Sequence, residues 1–142
     1  MRLNWLSFMA ISKIICRKGR YAPKLSVVAV SSTSALRGQA GMSFYSASKG
    51  AVISAIPALA AEYASRGIRF NTVCPCHVNT PMHHAVRQNL GEEWYKSEVE
   101  SKLKLGLLEP EDVAYSVIFL LSEASRRVTG TTLIVDGGAL LG

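Results

Sequence analysis

The sequence predicts an α/β fold built on an open parallel sheet with helices packed against it. Short apolar runs rich in β-branched residues alternate along the chain with longer segments whose apolar residues recur at helical spacing. The strand-like runs are apolar on both faces, as in a parallel sheet that is covered on both sides. Because 49% of the residues are hydrophobic and 18% are charged, the chain is expected to be globular and well buried.

The first predicted element is a helix over 3–16. Its apolar positions recur at helical period and include Leu3, Leu6, Ala10 and Ile14. Lys13 interrupts the apolar run, and no small-residue cleavage site follows, so the segment is interpreted as an amphipathic helix and not as a signal peptide. A basic, turn-prone segment, 17–24, then leads into the first predicted strand, 25–30.

The second predicted helix covers 44–65. Its apolar residues again recur at helical spacing and include Ala51, Val52, Ala55, Leu59 and Tyr63. Pro57 falls in its middle, where a proline removes one backbone hydrogen bond and should kink the helix. Gly67 is expected to end the helix as a left-handed cap.

Three further segments complete the predicted fold. A buried strand covers 68–74, and 82–107 is amphipathic, charged and helical in its spacing. A helix is expected to begin at 109–112, where acidic residues occupy the first turn. A last strand is predicted at 130–135. The chain therefore alternates strands and helices in the order that builds a parallel sheet.

Composition argues against several kinds of partner. The formal net charge is +6, yet the basic residues are scattered and form no stripe interleaved with aromatic residues, so no nucleic-acid partner is expected. The three cysteines make an odd number with no disulfide framework, which predicts a reducing, cytoplasmic location. No window is apolar over enough residues to span a bilayer, so no membrane contact is expected.

A metal site is a tempting interpretation of one stretch. The potential ligands close together there are Cys74, Cys76, His77, His83 and His84. A zinc site commonly uses a Cys-x-x-Cys pair with a second, separated pair, whereas this stretch has Cys-Pro-Cys, which is too short and too stiff. No metal is therefore expected.

One pair of residues carries a specific chemical signal. Tyr45 and Lys49 are four residues apart, so they lie on the same face of the predicted helix. A free phenol has a pKa of about 10 and moves protons poorly at neutral pH, but a neighbouring positive charge favours its phenolate form and so makes it a useful acid or base. Ser32, at the end of a predicted strand, could hold a substrate oxygen beside it. The alternative is a solvated lysine beside a half-buried tyrosine.

The order of several motifs resembles the short-chain dehydrogenase/reductase family. The matching motifs, from about Asn4 to Gly138, are Ser31-Ser32, Tyr45-Ser-Ala-Ser-Lys49, Gly67-Ile-Arg-Phe-Asn71 and the strand end at Pro75. The resemblance implies a Rossmann-like parallel sheet, here truncated to about three strands with flanking helices. It also implies an oxidoreductase that uses NAD or NADP on the hydroxyl/carbonyl pair of a small-molecule alcohol or carbonyl compound.

The resemblance also implies a catalytic role for four residues. Tyr45 gives or takes the proton, and Ser32 orients the substrate oxygen. Lys49 lowers the pKa of the Tyr45 phenol and binds the nicotinamide ribose. The family's matching helix opens with Asn-Leu-x-x-x-Phe, which Asn4 and the residues after it approximate, so Asn4 is expected to help hold a water in a proton relay leading to the lysine.

The family's cofactor loop reads Pro-Gly-x-Val-x-Thr, and this chain has Pro75-Cys-His-Val78-Asn-Thr80. By resemblance these residues bind the cofactor: the Val78 backbone holds the carboxamide, and Thr80 hydrogen-bonds the same end. Cys76 stands where glycine is expected. If that position required a positive φ or a close approach to a ring, a side chain there would cost on the order of 1 kcal/mol.

The family's glycine-rich loop, whose amides hold the pyrophosphate, has no counterpart in this sequence. The residue that selects NAD or NADP has no counterpart either, so the preference stays open. Residues 1–142 are therefore expected to be the C-terminal portion of such a domain, in which strand 25–30 has an open edge. Segment 82–107 would be a flap over the substrate pocket or an ordinary helical surface.

Two functions of different class follow. The chain is the catalytic half of an oxidoreductase, or it is a non-catalytic remnant or an interaction module. The resemblance implies a homo-oligomer through helices 3–16 and 44–65, because the matching helices form dimer interfaces in the family.

Overall fold

Three parallel strands form one sheet in the order β1–β2–β3 in the computed structural model, which describes residues 2–19, 21 and 23–141. The strands are β1 (Ser26–Val30), β2 (Arg69–Pro75) and β3 (Thr132–Val135). β1 pairs with β2 in parallel, and β2 pairs in parallel with β3. The predicted α/β class, with about three parallel strands, is confirmed.

Helices flank this sheet throughout the described part of the chain. The α-helices are α1 (Ser7–Ile15), α2 (Ser43–Tyr63), α3 (Pro81–Leu90), α4 (Glu92–Glu98) and α5 (Pro110–Leu121). The predicted helix 3–16 is a π-helical turn, Arg2–Leu6, followed by α1. The predicted segment 82–107 contains α3 and α4, which Gly91 separates at a φ of +86°. Within the described ranges, no helix is both long and apolar enough to cross a membrane.

The main core lies between α2 and the sheet. Buried apolar residues of α2 recur at helical spacing, and the ring of Tyr63 lies 5.6 Å from that of Phe70 on β2, centroid to centroid. Pro57 lies within α2 on the exposed side of the helix, and the helix continues past it to Tyr63. Gly67 has a φ of +71°, which confirms the left-handed cap after the short turn that ends this helix.

β1 is an edge strand within the described chain. The Arg69 N–H donates to the Leu25 carbonyl at 2.9 Å, and the Ser31 N–H donates to the Val73 carbonyl at 2.8 Å. In a strand, successive backbone groups point to opposite sides. The backbone groups of Val28 and Val30 therefore point away from β2, towards the open edge.

A second, smaller core lies at the carboxyl end of the sheet. It contains Tyr95, Val99, Leu103, Leu108 and Ala139. The turn after β3 is closed by the Asp136 carboxylate, which accepts from the N–H groups of Gly138 at 3.0 Å and Leu140 at 2.9 Å. This core fixes α4 and the C-terminal turn beside the end of β1, where the candidate site lies.

Candidate active site

Tyr45 and Lys49 lie in the first turns of α2, and Ser32 lies just after β1. The helix places the tyrosine and the lysine on one face, with the Lys49 Nζ 5.9 Å from the centroid of the Tyr45 ring. The helical spacing seen in the sequence thus brings a cation beside a phenol, next to the carboxyl end of the sheet. In open parallel sheets this end is where ligands bind.

Ser32 is held by a local turn. It has extended backbone angles and caps the 3-10 turn Thr33–Ala35, where its Oγ accepts a hydrogen bond from the Ser34 N–H at 3.2 Å. A hydroxyl has one proton to donate and two lone pairs that accept. The contact with Ser34 uses a lone pair and leaves the Ser32 proton able to donate to a substrate oxygen.

Lys49 is half-buried, and its Nζ donates to the Val30 carbonyl at 3.1 Å. Burial lowers the pKa of Lys49 below the usual lysine value, because desolvation disfavours the charged form, and the nearby Cys74 thiol acts in the opposite direction. The ammonium group is therefore held in place at the end of β1, between solvent and the sheet.

Asn4 contacts the same turn of α2 from the other side. It lies in the π-helical turn Arg2–Leu6, a distortion that is frequent at functional sites. Its Nδ2 donates to the Ser48 Oγ at 3.0 Å, and that buried hydroxyl donates to the Tyr45 carbonyl at 2.8 Å. The structure thus brings Asn4 to the Tyr45–Lys49 turn of α2 through Ser48, a contact across 44 residues that no spacing in the sequence indicates.

Ser31 is a second residue to which the sequence assigned no role of its own. It is 4% exposed, and its Oγ donates to the main-chain carbonyl of Lys49 at 2.9 Å. The sequence signal was its place beside Ser32 in the motif, which did not indicate a partner in α2.

The predicted cofactor loop follows β2. Pro75 is the last residue of β2 and is buried. Val78 forms an isolated parallel bridge with Leu108, in which the flanking backbone groups make the hydrogen bonds. The backbone groups of Val78 therefore face away from this bridge. Thr80 caps α3: its Oγ accepts from the His83 N–H at 3.3 Å and donates to the Val78 carbonyl at 3.3 Å.

Cys76 occupies the glycine position of this loop without backbone strain. Among the described residues, Lys24 is the one non-glycine residue with a positive φ, so Cys76 lies in the ordinary region of backbone space. Its N–H donates to the Val135 carbonyl at 3.1 Å, and its side chain is half-buried. The backbone strain considered for a side chain at this position therefore does not arise.

A cavity of about 590 Å³ lies next to Ser32 and α2. Its lining includes Thr33, Arg37, Met42, Cys76, Trp94 and Leu140. These residues come from the loop between β1 and α2, from the cofactor loop, from α4 and from the C-terminal turn. A concave, largely apolar space of this size is typical of small-molecule sites. Segment 82–107 therefore contributes to the wall of this cavity, through α4.

The histidines near the cavity are packed together. The His83 Nε2 lies 3.1 Å from the Tyr95 hydroxyl, and the rings of His77 and His83 are 5.4 Å apart. Burial lowers the pKa of both His77 and His83, and neighbouring cationic or histidine groups add to the shift. The part of the chain that the structure describes contains no group of three His, Cys, Asp or Glu residues placed to hold a metal ion.

The sequence of this chain is similar to those of known reductases. The family described as enoyl-(acyl carrier protein) reductase matches residues 1–139. The chain is 40% identical over 114 residues to a 3-oxoacyl-[acyl-carrier-protein] reductase of Chlamydia pneumoniae, covering 80% of this chain and 44% of that protein. The chain therefore spans less than half the length of this curated relative.

Solved structures show the same relation. A short-chain dehydrogenase family protein from Francisella tularensis matches 99% of this chain and 60% of that chain, with 28% identity and a TM-score of 0.86. The structure of ElxO with NADP bound matches 96% of this chain and 51% of that chain, with 27% identity and a TM-score of 0.72. The fold and the motifs of this chain, together with these relatives, show that the chain belongs to the short-chain dehydrogenase/reductase family of oxidoreductases.

Proposed function

We propose that this chain supplies the proton-transfer residues and the nicotinamide-side residues of an NAD(P)-dependent oxidoreductase. Its substrate would be a small molecule with a hydroxyl/carbonyl pair. The observation that carries the proposal is the placement of the Lys49 ammonium 5.9 Å from the Tyr45 ring centroid, at the strand end that bears Ser32. The cavity of about 590 Å³ is lined by Thr33 and Ser34, which follow Ser32, and by Met42, which precedes α2, and it provides space for such a substrate next to the three residues.

In the reducing direction, Tyr45 donates its phenolic proton to the substrate oxygen as hydride reaches the carbonyl carbon. The Ser32 hydroxyl donates a hydrogen bond to the same oxygen and stabilises the negative charge that develops there. The Lys49 ammonium stabilises the phenolate that remains, because an opposite charge favours the ionised form. In the oxidising direction each transfer reverses.

The residues present fit the nicotinamide end of NAD or NADP, which when bound supplies or accepts the hydride. Lys49 would bind the ribose, and Pro75 would line the pocket. The Val78 backbone, which faces away from its bridge with Leu108, has groups of the right kind for a carboxamide. Thr80 would join them by turning its hydroxyl proton from the Val78 carbonyl to the cofactor.

Asn4 would help to hold a water on the path between Lys49 and solvent. The Asn4 side-chain nitrogen donates to Ser48. A water would therefore be bound by the oxygen atoms of Asn4, which are the side-chain Oδ1 and the main-chain carbonyl oxygen. A relay of this kind would return protons to Tyr45 after each turnover.

The proposal is tested with the purified 142-residue chain and a panel of carbonyl compounds, with NADPH and NADH. Because the glycine-rich loop is absent from the sequence, the assay is repeated after adding the N-terminal half of the Chlamydia pneumoniae reductase. Reduction that is lost in Tyr45→Phe and kept in Tyr115→Phe, an exposed tyrosine on α5, is the expected result. Reduction that persists in Tyr45→Phe would contradict the proposed proton donor.

The second candidate is an interaction module without activity. Large apolar side chains are exposed on the π-helical turn, on α1 and at the start of α2, among them Leu6, Ile11, Ile14 and Phe44. Exposed apolar surface is typical of contact sites, and these side chains favour a homo-oligomer through helices 3–16 and 44–65. Sedimentation that shows a dimer, together with no reduction under either assay condition, would support this function over the catalytic one.

A further inference from the structure

The two serines at the end of β1 have different surroundings. Ser31 is 4% exposed and donates its Oγ to the Lys49 carbonyl, whereas Ser32 is half-buried and lies beside the cavity lining. We propose that Ser31 is a positioning residue, whose buried hydroxyl fixes the Lys49 turn of α2 relative to Ser32. This inference rests on the proposed function, in which Ser32 and Lys49 act on the same substrate and cofactor.

Ser31 is itself anchored to the sheet. Its N–H donates to the Val73 carbonyl at 2.8 Å, which continues the pairing of β1 with β2. The same residue therefore reaches the sheet through its backbone and α2 through its side chain. Because Ser32 follows it directly in the chain, the bond from Ser31 to Lys49 sets the distance between a substrate-orienting hydroxyl and the catalytic helix.

Lys49 is held at both of its ends, by Val30, the last residue of β1, and by Ser31, which follows it. Ser31 binds its main-chain carbonyl at 2.9 Å, and the Val30 carbonyl binds its Nζ at 3.1 Å. Without the first bond, this turn of α2 is free to move away from the strand, and the second bond lengthens with it. The ammonium then gains water, and its protonated form becomes more favourable.

The Ser31 bond is not required for the helix itself. A carbonyl inside an α-helix already accepts a hydrogen bond from the N–H four residues later, so the hydroxyl of Ser31 adds a contact between two elements. A buried hydroxyl does need some partner, and many such serines are purely structural. Ser125 is one of these: it is fully buried, its Oγ donates to the Leu120 carbonyl at 2.9 Å, and it lies after α5, away from the candidate site.

Ser125→Ala is therefore the matched control for Ser31→Ala. Each change removes one buried hydroxyl that donates to a backbone carbonyl. The readout is the titration of the Lys49 ammonium, followed by the ¹³Cε resonance in a chain labelled at lysine and assigned with Lys49→Arg. Tyr45 and the Cys74 thiol are near this ammonium, so the titration is repeated in Tyr45→Phe.

The expected result is that Ser31→Ala moves the Lys49 titration upward by roughly half a pH unit, towards an ordinary lysine. Ser125→Ala is expected to lower the melting temperature about as much as Ser31→Ala does, and to leave the Lys49 titration unchanged. An unchanged titration in Ser31→Ala would overturn the inference, and so would an equal shift in Ser125→Ala.

A second pair of variants covers the case in which Ser31→Ala does not fold. Ser31→Thr and Ser31→Val have the same shape, and only the first keeps a hydroxyl. The titration should stay near that of the unmodified chain in Ser31→Thr and move upward in Ser31→Val, and equal values would overturn the inference. None of these measurements uses substrate or cofactor, so failure of the proposed activity and failure of this inference give different results.

Discussion

The Nζ of Lys49 donates to the carbonyl oxygen of Val30 at 3.1 Å, and this carbonyl belongs to the open edge of the sheet. A strand added at that edge would compete for the same oxygen, because it would take its hydrogen bonds from the outward groups of β1. The position of the Lys49 ammonium and the pairing of the sheet edge are therefore linked by one atom, the Val30 carbonyl oxygen.

Hydrogen exchange of β1 amides is expected to alternate along the strand. The N–H groups of Val28 and Val30 point to the open edge, whereas that of Ala29 points towards β2. The Val28 and Val30 amides should exchange roughly 100-fold faster than the Ala29 amide, since exposed backbone groups need no opening of the fold. Exchange followed by NMR checks this pattern. Slow exchange at all three positions would mean that another segment or a second copy covers the edge.

Lys49 is expected to make stability rise with pH in alkaline solution. Burial lowers its pKa in the folded state, so between that value and the usual 10.5 the unfolded chain binds more protons. The penalty for burying the ammonium is complete below the folded pKa and disappears as the pH rises through this window. Urea unfolding at several alkaline pH values should show the unmodified chain gaining stability relative to Lys49→Met. A constant difference between the two would contradict the assignment.

The histidine cluster is expected to lose stability in acid. Burial lowers the folded-state pKa of His83 below the usual 6.5, with His84 and Arg87 adding to the effect. Stability is therefore fully present above pH 6.5 and falls as the pH drops through the folded pKa, since protonation favours the unfolded chain. His83→Gln should weaken this acid dependence, whereas the exposed His84→Gln should largely keep it. The melting temperature of each variant, measured from neutral to acid pH, checks the prediction. An equal loss of melting temperature in acid for the two variants would refute it.

Gly137 is expected to resist substitution. Its φ is +58°, and a Cβ there would lie 2.9 Å from the Gly106 carbonyl oxygen. Gly137→Ala should destabilise the chain by about 1–3 kcal/mol, from backbone strain and from the displaced turn. Gly38→Ala is the control, because nothing lies within 4 Å of its added Cβ and its φ is not positive. Urea unfolding of both checks the prediction, which fails if the two losses are equal.

Some element boundaries were less predictable than the elements themselves. The last strand was predicted at 130–135 and is Thr132–Val135, since Gly130 has a φ of +77° and the Thr131 N–H donates to the Asn71 side chain at 3.2 Å. A side-chain partner on another strand decides where this strand begins. Periodicity within one segment has no information about such a partner.

Local patterns in the sequence were sufficient to predict the α/β class, the three strands and the placement of Tyr45 and Lys49 on one helix face. These features follow from periods of two and 3.6 residues and from a four-residue spacing, all of which act within one element. Gly67 belongs with them, because a left-handed cap is a local backbone requirement.

The contacts around Tyr45 and Lys49 depend instead on how distant elements pack. Ser31 reaches Lys49 across 18 residues, and Asn4 reaches Ser48 across 44. Such contacts depend on how β1, α2 and the π-helical turn pack together, which no local spacing encodes. The φ angle of Cys76, which is not positive, also depends on tertiary structure, because the elements that a loop joins set the backbone angles within it.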